Sequence, residues 1–168
     1  DYAARGWYVF PCRERPGKPY FDKKKKREVT PGIKTPYTKN GVDDATTSKA
    51  KIREWWTKYP DALIGINCEK SGLFMVALDV KEGRDGITNF NRLVRIDCTG
   101  ALQSTTPNGG LHLVFSGSGK TTTNEELGID TRGAGGYFIA PPSMILDCGS
   151  YVQMNDWTKE PAPVPAGL

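Results

Sequence analysis

Residues 73–80 read LFMVALDV, and this stretch decides the fold, because six apolar residues in a row precede a single aspartate, Asp79. A short, uninterrupted apolar run bounded by turn residues is typical of a buried β-strand. A carboxylate at the end of such a strand is held in place by the packing of the strand itself. The stretch therefore predicts a core strand that presents Asp79 at its end.

Two more short apolar strands each carry one polar residue that is suited to chemistry. His112 opens HLVF (112–115) after a double glycine, and Asp130 lies in GIDTRGAGGYFIAPPS (128–143). An imidazole beside glycines can approach a ligand closely, because glycine has no side chain to occupy the space. Two carboxylates and one histidine could together hold a divalent metal and a triphosphate, which points to phosphoryl or nucleotidyl transfer.

The composition predicts one globular domain. The chain has 168 residues, of which 38% are apolar and 25% charged, which is enough for one core and too little for two. Lys and Arg outnumber Asp and Glu by 23 to 19, and the formal charge of +4 favours polyanionic partners only weakly. No apolar run approaches the roughly 20 residues that a transmembrane helix requires, so we expect no membrane partner.

The cysteines argue against a metal site of the zinc-finger type. All four are scattered, no Cys-x-x-Cys pair occurs, and the chain has a single histidine, so we expect no structural zinc. Free thiols that pack as small apolar side chains fit a reducing compartment. We therefore expect a cytoplasmic protein, with disulfides allowed but unsupported.

The order of apolar segments and turn residues predicts an α+β domain with a mainly antiparallel sheet. The clearest element is a helix in TTSKAKIREWWTKYP (46–60), which has a Ser/Thr cap, an apolar face and a terminating proline. A strand in 6–10 is expected to stop at Pro11, and EKSG (69–72) is expected to form a turn. Further strands are predicted in 63–67, 73–80, 112–115, 137–143 and 151–154, and a second helix in 88–95.

The two ends of the chain indicate a piece of a longer protein. The sequence starts at Asp1 without a methionine, and KEPAPVPAGL (159–168) is a Pro/Ala tract with the composition of a linker. We expect a catalytic domain over residues 1–160 and the start of a linker over 161–168.

Six segments, taken in order along nearly the whole chain, resemble the bifunctional DNA primase/polymerase (prim-pol) domain of the archaeo-eukaryotic primase superfamily. The resemblance implies a primase-polymerase fold in which an α/β unit joins a sheet with an RNA-recognition-like core, flanked by helices, with the active site in the cleft between them. The segments are AARGWYVFP (3–11), KTPYTKNGVDDATT (34–47), IREWW (52–56), LFMVALDV (73–80), TTPNGGLHLVF (105–115) and GIDTRGAGGYFIAPPS (128–143).

The resemblance also implies an activity and its partners. The domain would act as a DNA primase and DNA polymerase, a template-directed nucleotidyltransferase of phage or plasmid replication in a bacterial host cell. Its substrates would be nucleoside triphosphates on a single-stranded DNA template, with Mg²⁺ or Mn²⁺ as cofactor. A helicase would follow on the C-terminal side of the full-length protein.

By the same resemblance, Asp79, His112 and Asp130 are the catalytic residues. In the family an acidic pair separated by one residue and a further acidic residue hold two divalent metals, and the histidine binds the incoming triphosphate. Arg132, two residues after Asp130, would face the same way and bind phosphate, or would simply form a salt bridge with Asp130.

The sequence departs from this pattern where the second carboxylate of the pair should stand, because that position holds Lys81. An ammonium has no lone pair and cannot bind Mg²⁺. One explanation is that Glu82 or Asp85 substitutes as a metal ligand, with Glu82 joining Asp79 and Asp130. Another is that Lys81 pairs with Asp79 or binds a phosphate. A third is a domain that binds nucleotide or DNA but polymerises poorly. We favour a working enzyme with a reduced metal site.

Other features have simpler interpretations that we rank first. The basic run at 23–27 is expected to be a solvated, mobile loop. The alternative is that this loop binds the phosphates of the template. At least one of Trp55 and Trp56 is expected in the core rather than stacked on bases. SGSGKTTT (116–123) resembles a phosphate-binding P-loop, but Val114 occupies the position of the first required glycine, so we predict a turn.

Two rival functions remain beside the polymerase. The first is a non-catalytic nucleic-acid-binding module of a replication protein, which Lys81 motivates. The second is a metal-dependent nuclease that uses the same carboxylates. A primer-extension assay distinguishes the binding module from the polymerase, because the module would yield no product. Incubation of labelled DNA without nucleotides would reveal the nuclease, because the DNA would become shorter.

Overall fold

A computed structural model describes residues 2–81 and 83–168 and confirms the α+β class with mainly antiparallel sheets. The larger sheet has six strands, each antiparallel to its neighbours. In spatial order they are β10 (Thr122–Asn124), β11 (Ile129–Arg132), β5 (Leu73–Leu78), β9 (Leu111–Ser116), β8 (Leu102–Thr105) and β15 (Val152–Gln153).

The smaller sheet has three antiparallel strands, β1 (Val9–Cys12), β4 (Leu63–Asn67) and β12 (Tyr137–Ala140), with β4 in the centre. Our prediction that Pro11 would end the first strand is wrong, since Pro11 pairs with Ile64 inside β1. Proline is tolerated there because β1 is an edge strand of this sheet, where a ladder hydrogen bond from the missing N–H is not needed.

Three helices connect the strands, and local capping explains where each begins. Helix α1 (Lys49–Lys58) starts at Ser48, whose hydroxyl accepts a hydrogen bond from the Lys51 N–H at 3.4 Å. Helix α3 (Gly86–Leu93) starts at Asp85 in the same way. The predicted turn at 69–72 is instead a single helical turn, α2 (Cys68–Ser71), ended by a left-handed Gly72.

Three short hairpins and two 3₁₀ turns complete the described chain. The hairpins are β2 (Tyr20–Asp22) with β3 (Arg27–Val29), β6 (Val80–Lys81) with β7 (Arg84–Asp85), and β13 (Met144–Ile145) with β14 (Gly149–Ser150). The 3₁₀ turns are Tyr2–Arg5 and Gly41–Asp44. The basic run at 23–27 lies at the tip of the first hairpin and is exposed.

Strand β5 is covered on both faces, which explains its unbroken apolar sequence. Met75 and Ala77 pack with Phe138 of the smaller sheet in one core cluster. Phe74 and the remaining alternate residues of β5 pack on the opposite face, where Phe90 of α3 covers them. The predicted core strand is therefore confirmed, and its two neighbours in the sheet carry the other two site residues.

The Pro/Ala tract predicted to begin a linker is packed against the larger sheet in this structure. The Ser116 N–H donates to the Ala162 carbonyl at 2.9 Å, and Val164 and Leu168 contact the core cluster beneath β5. Val164 and Leu168 therefore cover apolar surface, although the composition of the tract is that of a linker.

All four cysteines are unpaired, with Cys12 and Cys68 buried. Within residues 2–81 and 83–168, none of the helices has both the length and the apolar character needed to cross a bilayer.

Candidate nucleotide-binding site

The two sheets bring the three predicted catalytic residues to one place. On the larger sheet Asp130 of β11 lies directly opposite Ala77 of β5, and Ala77 lies directly opposite His112 of β9. Residues that are opposite in neighbouring strands project from the same face of a sheet. A carboxylate and an imidazole therefore flank the small side chain of Ala77 on the face that meets the smaller sheet.

Asp79 follows the last residue of β5 and is fixed through its backbone. Its N–H donates to the Gly128 carbonyl at 2.8 Å, and its carbonyl accepts from the Gly86 N–H at 2.9 Å. A Cβ on Gly86 would lie only 2.2 Å from the Gly128 carbonyl oxygen, so this close approach requires glycine. The carboxylate itself is 38% exposed and makes no hydrogen bond to the described residues.

Two adjoining cavities contain these side chains. The first has a volume of about 280 Å³ and includes Asp79, His112 and Asp130. The second, of about 230 Å³, shares Asp79, His112 and Lys34 with the first and adds Lys81. The first is closed by Lys34, Arg132, Tyr137, Phe138, Ile139 and Tyr151. The convergence that the sequence predicted for the catalytic residues is therefore present in the structure.

Arg132 lies in the first cavity and forms the salt bridge that we considered as its alternative role. Its guanidinium donates to the Asp130 carboxylate at 2.9 Å and to the backbone carbonyls of Thr122 and Thr131 at 3.0 and 2.9 Å. Three of its five N–H donors are thus used, which leaves two for a ligand. The other Asp130 oxygen accepts the Asn124 N–H at 3.2 Å.

Lys81 lies beside Asp79, with 3.8 Å between its Nζ and the carboxylate Oδ2. The surrogate role considered for Asp85 is wrong, because its carboxylate caps α3 by accepting the Thr88 N–H at 3.0 Å. Glu82, the other candidate surrogate, lies outside the described residues. The structure therefore has an ammonium where the family pattern has a second carboxylate.

His112 is buried, with 7% of its surface exposed, and its environment keeps it neutral. Burial, reinforced by the positive charges of Lys34 and Arg132, lowers the pKa of His112 to about 3. Its Nδ1 is buried and has no hydrogen-bond partner among the described residues. A neutral imidazole with an unsatisfied ring nitrogen can exchange a hydrogen bond with a ligand, and it does not serve as a general acid near neutral pH.

The double glycine before His112, which we predicted to clear space for a ligand, also has a role in the backbone. Gly109 has a φ of +80° and forms the turn into β9. A Cβ on Gly110 would lie 2.6 Å from the carbonyl oxygen of Leu78, so glycine allows β9 to start close to the end of β5. These glycines bring His112 near Asp79 by letting their two strands approach.

Sequence reasoning missed Lys34, which lines both cavities. It belongs to an irregular segment without periodicity, and its only signal was its position at the start of KTPYTKNGVDDATT, one of the segments that carry the family resemblance. The segment is tied to the smaller sheet, because the Tyr137 hydroxyl donates to the Lys34 carbonyl at 3.0 Å. Burial raises the pKa of Tyr137 to about 12, so this hydroxyl remains a donor.

Among the described residues the site offers two carboxylates, which suits one hard divalent ion rather than two. Among the described residues there is no cluster of three or more His, Cys, Asp or Glu side chains that could hold a metal. Mg²⁺ is commonly held by one or two carboxylates together with substrate phosphates and water. Asp79 and Asp130 provide that set for a single ion, whereas a second ion would need carboxylates that the described part of the chain does not supply.

A larger cavity lies elsewhere and has a different character. It measures about 730 Å³, and its walls include Ile52 and Trp56 of α1 and Trp157. Among the described residues that line it, Arg5 alone carries a formal charge, and it donates to the carbonyls of Trp157 and Lys159. These described residues include no carboxylate or histidine for phosphoryl chemistry, so we assign the site to the two smaller, polar cavities.

The other phosphate-binding motif is excluded by its structure. Residues 117–121 form the turn between β9 and β10, no helix follows, and a Cβ on Gly119 would lie 2.4 Å from the ring of Phe74. The glycine is there to let the turn cross an aromatic ring. The predicted turn is confirmed.

Comparison with known proteins supports the same assignment. No curated protein matches the chain. Residues 1–167 match the family described as bifunctional DNA primase/polymerase, N-terminal. The match covers all three site strands and the segment that contains Lys34. The chain therefore belongs to the bifunctional DNA primase/polymerase (prim-pol) family, whose members carry out nucleotidyl transfer of the primase and polymerase type.

Proposed function

We propose that this domain is a template-directed nucleotidyltransferase that starts and extends a DNA strand. The observation that carries the proposal is the convergence of Asp79, His112 and Asp130 on adjoining cavities, although the first two are 33 positions apart in the chain and the last two 18. The membership of the chain in the prim-pol family supports the same reaction.

Each residue has a role that follows from its surroundings. Asp79 and Asp130 would hold one Mg²⁺ or Mn²⁺, which neutralises phosphate charge and activates the primer hydroxyl. Neutral His112 would hydrogen-bond the triphosphate of the incoming nucleotide. Arg132 keeps the Asp130 carboxylate in place and has donors left for a phosphate oxygen, while Lys81 adds positive charge beside Asp79.

The chain catalyses the reaction by positioning the reactants and by electrostatic stabilisation. The 3′ hydroxyl oxygen of the primer bonds to the α-phosphorus in line and loses its proton to solvent, while the bond from the α-phosphorus to the oxygen that bridges to the β-phosphate breaks and pyrophosphate leaves. Charge develops on the phosphate oxygens at this point, and cations fixed around the cavity stabilise it without reorganisation.

The nucleic-acid partner would be single-stranded DNA. The exposed lysines at the tip of the β2–β3 hairpin provide a phosphate-binding surface, and binding that depends on such contacts weakens as salt is raised. The replication context of a phage or plasmid and a helicase on the C-terminal side are parts of the proposal that the family membership suggests.

Primer extension on a primed single-stranded template tests the reaction. With Mg²⁺ or Mn²⁺ and nucleoside triphosphates, the protein is expected to lengthen the primer, and Asp79→Asn is expected to reduce the rate by at least about a hundredfold, since it removes a charged metal ligand. Asp43→Asn is the matched control, because Asp43 is exposed and lies outside both cavities. Shortening of the DNA without nucleotides would instead identify a nuclease.

A nucleotide-binding or DNA-binding module with weak catalysis is the alternative. The ion pair between Lys81 and Asp79 favours it, because an ammonium 3.8 Å from the metal-binding carboxylate competes with the ion. A folded sample that binds DNA and nucleotide but yields no extended primer with either metal would support this module over the polymerase.

A further inference from the structure

Lys34 lies where the two cavities of the site meet, since it lines both of them together with Asp79 and His112. Its ammonium lies 5.8 Å from the centre of the Tyr151 ring, within the range of a cation–π contact. Within residues 2–81 and 83–168, its ammonium has no hydrogen bond or ion pair. By contrast, Arg132 and Lys81 are both engaged with aspartates.

The backbone of Lys34 adopts a conformation that a lysine does not favour. Its φ is +70°, in the left-handed region, which costs an L-residue other than glycine or asparagine about 1 kcal/mol or more. Hydrogen bonds hold it there, because its N–H donates to the Arg13 carbonyl at 2.8 Å and its carbonyl accepts from Tyr137. Strained backbone of this kind persists where the surrounding structure requires it, and it clusters at functional sites.

The surroundings of the ammonium favour an anionic ligand. Lys34 remains accessible to solvent, yet the walls remove enough water to lower the pKa of its ammonium, with Arg132 adding to the effect and Asp79 opposing it. A partly desolvated cation is stabilised when an anion reaches it. Lys34 differs from the other two cations because, among the described residues, its ammonium has neither a hydrogen bond nor an ion pair, which leaves all three of its N–H groups for a ligand.

From these observations we infer that Lys34 binds the phosphates of the incoming nucleotide directly and does so without a divalent metal. The inference rests on the proposed function, because it assumes that the adjoining cavities take a nucleoside triphosphate. In this site, which has carboxylates for one ion, the ammonium of Lys34 supplies part of the positive charge that a second ion would otherwise bring. The ligand class is the triphosphate itself, so the contact is independent of the base.

The backbone of Lys34 allows an unusually clean test, because Lys34→Gly removes the ammonium and also relieves the left-handed conformation. The variant is expected to unfold at the same temperature as the original protein or a higher one. Lys39→Gly is the matched control, since Lys39 lies five residues further along the chain, is exposed and lines neither cavity. Both variants lose one positive charge.

Binding is measured with a fluorescent analogue of dATP in EDTA, by direct titration and by displacement with inorganic triphosphate. Lys34→Gly is expected to weaken both ligands by about tenfold or more, as for loss of a charge-assisted hydrogen bond. Lys39→Gly is expected to bind as the original protein does. Lys34→Asn, whose side chain tolerates the left-handed region, replaces the glycine variant should the latter fail to fold.

The outcomes separate this inference from the proposed function. Equal affinities of the Lys34 variants and the original protein, in a protein that extends primers, would overturn the role of Lys34 and leave the polymerase intact. A loss for the dATP analogue without a loss for inorganic triphosphate would also overturn it, since the contact would then be to the nucleoside. A protein that neither binds the analogue nor extends a primer would refute the proposed function itself.

Discussion

Lowering the pH from about 7.5 to about 4.5 is expected to destabilise this domain specifically through His112. Burial lowers the pKa of His112 to about 3 in the folded chain, against an ordinary value of 6.5 that applies to the unfolded chain. Between these two values the unfolded state binds one proton more than the folded state, so stability falls as the pH falls. Below about pH 3 both states are protonated and the loss levels off.

The magnitude follows from the separation of the two pKa values. Each pH unit below the pKa of His112 in the unfolded chain lowers the free energy of unfolding by about 1.4 kcal/mol. At pH 4.5, two units below that pKa, the loss is about 3 kcal/mol. This is a large part of the stability of a small domain. Urea denaturation at a series of pH values measures the free energy of unfolding, and His112→Gln, which cannot be protonated, is the comparison.

Carboxylates titrate in the same range, but they do so in both proteins, so the difference between the two curves isolates His112. The free energy of unfolding of the original protein is expected to fall more steeply between pH 6.5 and 4.5 than that of His112→Gln. Parallel curves would refute the reasoning, because they would mean that His112 is protonated as easily in the folded state as in the unfolded one.

Three further predictions concern the metal site, the strand approach and a helix start. Lys81→Asp is expected to bind Mn²⁺ on the order of tenfold more tightly, measured by electron paramagnetic resonance, because a carboxylate replaces the ammonium beside Asp79; unchanged affinity would contradict this. Gly110→Ala is expected to lose about 2 kcal/mol or more in urea denaturation because its Cβ meets the β5 backbone, whereas Gly32→Ala, which has open space, is expected to be neutral; equal effects would argue against the close approach. Ser48→Ala is expected to cost about 1 kcal/mol by loss of the α1 cap, also by urea denaturation, and no change would show that the cap contributes nothing.

The sequence was sufficient for the parts of the fold that local patterns determine. The apolar run at 73–78 is a core strand, the segment with Ser48 and a terminating proline is a helix, and 117–121 form a turn. The three catalytic candidates could be found because each stands on or beside a short apolar strand. Their convergence followed from the family resemblance, and the register of β11, β5 and β9 now gives its physical basis.

The errors arose where tertiary contacts override local rules. Pro11 fits inside β1 only because that strand is at a sheet edge, and edges are a property of topology rather than of local sequence. Gly110, two residues before His112, is required by the Leu78 carbonyl of β5, about 30 residues earlier in the chain. Lys34 reaches the site through contacts with Arg13 and Tyr137, so nothing in its own segment marks it as a cavity residue.

The central claim is that one nucleotide pocket is formed by two aspartates and a histidine, and a crystal structure with Mn²⁺ and a non-hydrolysable dATP analogue tests it most directly. The account predicts a single anomalous Mn²⁺ peak between Asp79 and Asp130, with the triphosphate in hydrogen-bond contact with His112. A nucleotide seated instead in the apolar groove beside Trp56 and Trp157, or metal bound away from both aspartates, would contradict it.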